Sequence, residues 1–529
     1  MKRLLLTLTL SFILVPFLSA QFTPERKLRL AEQLIENYYV DTIDTAKVVQ
    51  EAIIGMLKTL DPHSTYTTPE ETKELTEPLN GNFSGIGIRF QMVQDTLYII
   101  ESVSNGPSEK LGIQAGDRII SCNDTIISGV GKKNNDILKI LRGPKGTIAN
   151  LKVKRKNVPQ LLEFRVVRDD IPIYSVDGAF MANDSVGYIS ISRFAESTTE
   201  EVKSAMKDLR KQGMRHLIIN LTDNGGGYLK QAIDVANIFL KKGDMIVYTD
   251  SPKNGKSIYD ATSNGNFNGR VVVMVNQFSA SASEILSGAL QDNDRGVIVG
   301  RRTFGKGLVQ RPFPFPDGSM IRLTVSRYHT PSGRCIQKPY ADGEDENYQL
   351  DILNRYKSGE FNSADSIHFA DSLLYHTIRL QRPVYGGGGI MPDRFVPIDT
   401  TYYSPYYRDL VARGAMNNFS VNYVDKNRKE LMAAYPNADS FIAGFTITPE
   451  IMQGLIDEGE KEKVTYNEEE FSRSKAYLEA ILKGLIGRDL YDQSVYYRVV
   501  NTLDPIYNSA VEIITTPSLY HSILPAKAK

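Results

Sequence analysis

Val271-Val272-Val273-Met274-Val275 runs through Asn276-Gln277-Phe278 into Ser279-Ala280-Ser281-Ala282-Ser283-Glu284-Ile285-Leu286. Consecutive apolar residues, most of them β-branched, suit a strand covered on both faces, as in a parallel sheet. Ser281, with Glu284 following at the capping-box spacing and an apolar pair after it, predicts a helix from about Ala282 to Leu290. Outward from this passage the alternation repeats. Val186–Ile191, His216–Leu221, Val297–Val299 and Ile321–Val325 read as strands, and Tyr228–Leu240 has apolar residues at helical spacing. Such alternation predicts a layered α/β core whose active site lies on loops leaving strand ends.

The rest of the chain divides by its punctuation. With 529 residues it is too long for one core. Residues 1–20 have the form of a signal peptide: Lys2 and Arg3, an apolar run from Leu4 to Leu18, and a small-residue end at Leu18-Ser19-Ala20. Export to the periplasm or envelope is therefore expected. No cysteine follows the apolar run, so a lipoprotein is not. Over residues 21–80 Leu28, Ala31, Leu34 and Ile35, then Val48, Ala52, Ile53, Met56 and Leu57, recur at helical spacing and predict a small helical domain. Asp61-Pro62-His63-Ser64 reads as a turn after a helix rather than as a site for a catalytic histidine. Residues 81–169 change to short strands with glycine turns.

Composition narrows the function classes. Lys plus Arg and Asp plus Glu both number 62, so no excess charge draws nucleic acid, and none is expected as a partner. Cys122 and Cys335 are the two cysteines and lie far apart, which argues against a disulfide framework. The 41% of apolar residues suffices for burial to carry stability. The acidic clusters Glu458–Glu462 and Glu468–Glu470 in the last region read as solvated faces.

Two loops of the core carry chemistry. Asp223-Asn224-Gly225-Gly226-Gly227, between a strand and a helix, exposes successive backbone N–H groups. It lacks the spacing of nucleotide-binding loops, so an oxyanion hole is the better reading. Ser281 is explained by capping alone, but at a helix N-terminus it is also a candidate nucleophile, with the Ala282 N–H available to an oxyanion. Serine then needs a base. None of the six histidines stands in a nucleophile-elbow context, whereas Lys306 lies between Gly305 and Gly307 beside Phe304, Leu308 and Val309. That apolar setting favours a neutral amine. Gln310, at a spacing that returns to the same face of a strand, is placed to orient it.

Two resemblances gather these readings. Ser84-Gly85-Ile86-Gly87-Ile88, Gly112–Ile120 and Leu141-Arg142-Gly143-Pro144-Lys145-Gly146, with a closing strand Ala149–Lys154, resemble a PDZ domain. That implies capture of a peptide C-terminus at Gly85, Ile86, Gly87 and Ile88. Asn220–Leu229, Asn276–Gln310 and Gly386-Gly387-Gly388-Gly389-Ile390-Met391-Pro392-Asp393 resemble the carboxyl-terminal processing, or tail-specific, proteases of the S41 serine peptidase family. The resemblance implies a multidomain α/β protein with a helical N-terminal segment, a PDZ domain and a ClpP/crotonase-like core over 170–398; a polar insertion at about 340–380 and an extension over 399–529, mostly helical by its pattern, depart from the family. It also implies Ser281 as nucleophile, Lys306 as base, Gln310 as its positioner, and the N–H groups of Ala282, Gly226 and Gly227 as oxyanion hole. No cofactor or metal is implied. The implied partners are proteins with accessible apolar C-terminal tails, and the extension is a candidate adaptor-docking or self-association module. The chain departs from the family in reading Asn220-Leu221-Thr222 where Asp-Leu-Arg is usual. An inactive scaffold that holds C-termini, or an exported hydrolase of a non-peptide cell-wall or acyl substrate, is the alternative.

Overall fold

The computed structural model describes residues 23–103, 105–253, 255–340 and 348–525; the expected signal peptide lies outside them. At its centre is a six-stranded sheet in the order Val176–Asn183, Val186–Ile191, His216–Asn220, Val271–Val275, Val297–Gly300, Arg394–Phe395. The first pair is antiparallel and every later pair parallel. Strand alternation splits Val271–Val275 between two cores. Val271, Val273 and Val275 pack toward the helices Thr198–Lys211, Leu229–Ala236 and Ala282–Asp292. Val272 and Met274 pack on the opposite face against Ile506, Ala510, Ile513 and Ile514. Each buried valine contributes roughly 1.5–3 kcal/mol.

That second face corrects the expected boundary at residue 399. Helices Pro505–Thr515 and Pro517–Ile523 return from the extension to cover the protease sheet, with Tyr520 wholly inside that layer. The earlier helices of the extension, Pro405–Ala412 to Gln493–Val500, have a core of their own. Its acidic runs are only partly solvated. Glu458 is buried and paired with Lys461 at 3.0 Å, and Glu470 accepts the Tyr406 N–H at the start of helix Pro405–Ala412.

A second sheet contains Leu308–Pro314, Met320–His329, Met245–Ser251 and Gly255–Asp260, together with the short strand Thr65–Thr67 from the N-terminal region. The turn that precedes Thr65 is thereby delivered to the core. In the β domain the sheet runs Ile88–Val93, Thr96–Ser102, Arg118–Cys122, Ile148–Lys154, Leu162–Val167. The strand read as closing it is therefore internal, and Leu162–Val167 takes the edge. Ile88–Val93 forms the other edge. Its outer face is covered by helix Ala415–Ala434: Val93 and Ile100 pack on Val421, Gln91 donates to Asn418, and Arg118 pairs with Asp425 at 3.0 Å. Cys122 and Cys335 are both free thiols.

Candidate active site

Three loops leave the carboxyl ends of three neighbouring parallel strands: 221–227 after Asn220, 276–281 after Val275, and 301–307 after Gly300. Buried polar side chains tie the first two together. Ser279 Oγ donates to the Leu221 carbonyl, Asn276 and Asp223 exchange hydrogen bonds, and the Asn224 carbonyl accepts from Ala280 N–H and Ser283 Oγ. Ser281 sits at the turn with φ 56° and ψ −112°, a left-handed conformation that costs a non-glycine residue about 1–3 kcal/mol. Its hydroxyl makes no cap hydrogen bond. The capping role falls to backbone, Glu284 N–H donating to the Ser281 carbonyl at 2.9 Å.

Glu284, read from sequence as a helix cap, does more. It is fully buried, and its Oε2 accepts the N–H groups of both Ser281 (2.8 Å) and Lys306 (2.9 Å). Oε1 accepts from Gly305 N–H and Thr303 Oγ1. Burial pushes the carboxyl up to about 7, against the pull of these donors. On the carbonyl side, the buried Tyr328 hydroxyl reaches the Lys306 oxygen at 2.5 Å and the Ser281 oxygen at 3.1 Å. One carboxylate and one phenol thus hold the serine and lysine segments in a common frame. Tyr328→Phe is expected to lower stability by about 1–3 kcal/mol, because two carbonyls are left without that partner. Urea unfolding of the variant checks this.

Lys306 follows Gly305, whose φ of 88° turns the chain into the site. A Cβ at Gly305 would lie 3.1 Å from Gly389 N, so the glycine-rich segment 386–389 packs directly beneath. Burial, reinforced by the Arg322 charge, brings the lysine down to about 8, opposed by Glu284 and Asp61. His63 lies in the same neighbourhood. Burial and then the Lys306 charge hold it down at about 3, so it is a neutral ring, and its Nε2 is 2.8 Å from the Tyr348 hydroxyl. The insertion also braces this loop, since buried Arg355 donates to the carbonyls of Thr303 and Arg302.

Gln310 departs from expectation. Lys306 precedes the strand, which begins at Leu308, and the ladder has a bulge between Val309 and Gln310, so same-face counting from Lys306 does not hold. The Gln310 amide donates to Thr324 Oγ1 at 3.2 Å. Among the described residues no hydrogen bond joins it to Lys306, or Lys306 to the Ser281 hydroxyl. The oxyanion donors are also redistributed. Gly226 N–H is taken by Asn224 Oδ1 at 2.8 Å, which corrects its reading as a donor. Gly227 N–H and Ala282 N–H have no acceptor among the described residues. Asn220, in place of an acidic residue, donates to Tyr188 Oη and accepts from Thr222, a neutral substitute for an ion pair.

In the β domain Gly85 ends a strand paired with Asp169, Ile86 is buried in the core, and the backbone N–H groups of Ile86 and Gly87 have no acceptor among the described residues. Gly87 has φ 74°, and Ile88 opens the edge strand. Among the described residues no cluster of three or more His, Cys, Asp or Glu is arranged to hold a metal ion.

Comparison with known proteins agrees with this architecture. Residues 185–344 match the model of peptidase family S41, residues 84–166 that of the PDZ domain, and residues 19–72 that of the activating protease CtpB N-terminal domain. Residues 406–492 match a family of unknown function. The carboxy-terminal processing protease CtpA of Bacillus subtilis is 34% identical over 343 residues, 63% of this chain and 73% of that protein. The chain belongs to the carboxy-terminal processing proteases of peptidase family S41. A probable CtpA-like serine protease of Staphylococcus epidermidis is 36% identical over 316 residues, 59% of this chain, which spans 63% of that relative's length. Among solved structures, a photosystem II D1 C-terminal processing protease aligns at 28% identity and TM-score 0.34, covering 61% of this chain and 94% of that one. In this chain the extension beyond residue 399 packs on the PDZ domain from outside and supplies a layer of the protease core.

Proposed function

We propose that this chain is an exported serine endopeptidase that selects proteins by their C-terminal tails and cuts them with a Ser281–Lys306 dyad. The observation that carries the reading is the shared frame: a strained serine with an uncommitted hydroxyl and a buried lysine are fixed to the same carboxylate oxygen and the same phenol. Neutral Lys306 takes the Ser281 proton as Oγ attacks the peptide carbonyl carbon. Ala282 and Gly227 N–H groups receive the developing oxyanion. The lysine ammonium then protonates the leaving amine as the C–N bond breaks; the regenerated neutral Lys306 deprotonates water, which attacks the acyl carbon, and the lysine returns that proton to Ser281 Oγ as the ester bond breaks. The PDZ loop at Gly85–Ile88 holds the tail's carboxylate while the tail adds to the Ile88–Val93 edge. Beside Gln310 an open cleft of about 590 Å³, walled by Tyr228, Leu229, Ile233 and Tyr259, supports an extended peptide over a compact acyl substrate.

Cleavage of an apolar-tailed protein by the mature chain tests the reading. Ser281→Ala and Lys306→Ala are each expected to lower kcat/KM at least about 10³-fold without loss of tail binding. Because neutral lysine is the active form and Lys306 is held at about 8, wild-type activity is expected to rise with pH through that value. A Ser281→Ala protein that cut normally would sink the dyad. A wild-type protein that bound tails and cut nothing would be a scaffold.

A further inference from the structure

Asp61 lies in the turn before the core, yet one of the four hydrogen bonds its carboxylate accepts comes from Thr324 on the core strand Met320–His329. Its Oδ1 accepts the N–H groups of His63 (2.9 Å) and Ser64 (3.1 Å) and the hydroxyl of Thr324 (2.9 Å). Its Oδ2 accepts the Ser64 hydroxyl at 2.6 Å. Ser64 Oγ in turn accepts the Thr324 N–H at 3.1 Å, so the turn holds both backbone and side chain of Thr324. Thr324 stands directly opposite Gln310 in the ladder, at the bulge, and its Oγ1 receives the Gln310 amide.

The chain of bonds has a fixed direction. A carboxylate only accepts, so the single Thr324 hydroxyl proton goes to Asp61. Thr324 Oγ1 then has only acceptor capacity for Gln310, and Gln310 must present its NH₂. Its Oε1 is left unclaimed. An acceptor is what a lysine amine, and still more an ammonium, needs as a partner.

Resting on the Ser281–Lys306 reading, we propose that Asp61 and Thr324 are positioning residues that set the polarity of the Gln310 amide, leaving Oε1 as the acceptor for the Lys306 amine during turnover. The turn that sequence assigns to chain punctuation is then part of the catalytic frame, delivered from the N-terminal domain by the Thr65–Thr67 strand. The charged groups facing Lys306 are Asp61 from this turn, Arg322 from the strand Met320–His329 and Glu284 from the helix Ala282–Asp292. The neutral His63 and the Tyr328 phenol complete its surroundings.

Steady-state cleavage by the mature full-length chain, measured over roughly pH 6 to 10, tests the proposal with Thr324→Val, Thr324→Ser and Asp61→Asn. Thr324→Val is expected to lower kcat about tenfold with KM unchanged, and Thr324→Ser to restore it. Asp61→Asn, which frees the amide to flip and removes a negative charge facing the lysine, is expected to lower kcat similarly and to move the acid limb of the profile to lower pH. A wild-type kcat in Thr324→Val, or an unmoved acid limb in a folded Asp61→Asn protein, overturns the proposal. If Asp61→Asn does not fold, the Thr324 pair decides. An active Ser281→Ala protein would defeat the dyad itself. An inert one beside a fully active Thr324→Val would defeat only the relay.

Discussion

Lys306→Met is expected to abolish cleavage and at the same time to stabilise the fold at neutral pH. The folded protein holds this lysine at about 8, whereas an unfolded chain holds it near 10.5. A base whose pKa is lowered by folding binds more protons in the unfolded state across that interval, so stability rises with pH between the two values and is lowest below about 8. At pH 7 the buried ammonium is therefore a burden. A methionine of similar length fills the same space without charge, and the gain is expected to be on the order of 2 kcal/mol after allowing for partial exposure. Loss of the base costs turnover at least about 10³-fold. Thermal unfolding at pH 7 alongside peptide cleavage checks both signs. A lysine serving only as a surface group would give an active variant with an unchanged melting point.

Gly226→Ala is expected to be nearly as damaging, for a geometric reason. A Cβ there would lie 2.8 Å from the Ser281 Cβ, 2.8 Å from the Ala280 oxygen and 3.0 Å from the Ala282 nitrogen, and the residue's φ is +104°. These neighbours are backbone or the root of a side chain, so the serine turn and the Ala282 donor must move. Strain and clash together are expected to cost about 2–5 kcal/mol. Displacing nucleophile and oxyanion donor together is expected to lower kcat at least about 10²-fold. Gly225→Ala is the control, because a Cβ at Gly225 meets nothing within 4 Å. Parallel melts and rates of the two alanine variants separate a steric effect from a general intolerance of the loop.

The core strands and the candidate dyad were legible because their signals are local. Five apolar residues followed by a serine cap and an acidic partner determine strand, loop and helix within one stretch, and the structure begins the helix at Ala282. Lys306 stood out by its glycine neighbours. Gln310 could not be placed beside Lys306 by counting along a strand, because such counting assumes the strand includes Lys306, and it begins at Leu308. Glu284 was legible as a cap but not as the anchor of Lys306, 22 positions later. Asp61 was less legible still, since its bond to Thr324 spans 263 positions and the intervening PDZ domain hides it. The return of Pro505–Thr515 onto the sheet was missed for a related reason: an apolar helix face does not name the surface it covers.

The account stands most directly on the phosphonylation of Ser281 by a fluorophosphonate, with loss of fluoride, mapped by peptide mass spectrometry and timed across pH in the wild-type and Lys306→Met proteins. It predicts modification at Ser281, a rate that rises through about pH 8, and almost none in the Lys306→Met protein. Modification at another residue, or an equal rate at Ser281 without Lys306, would contradict it.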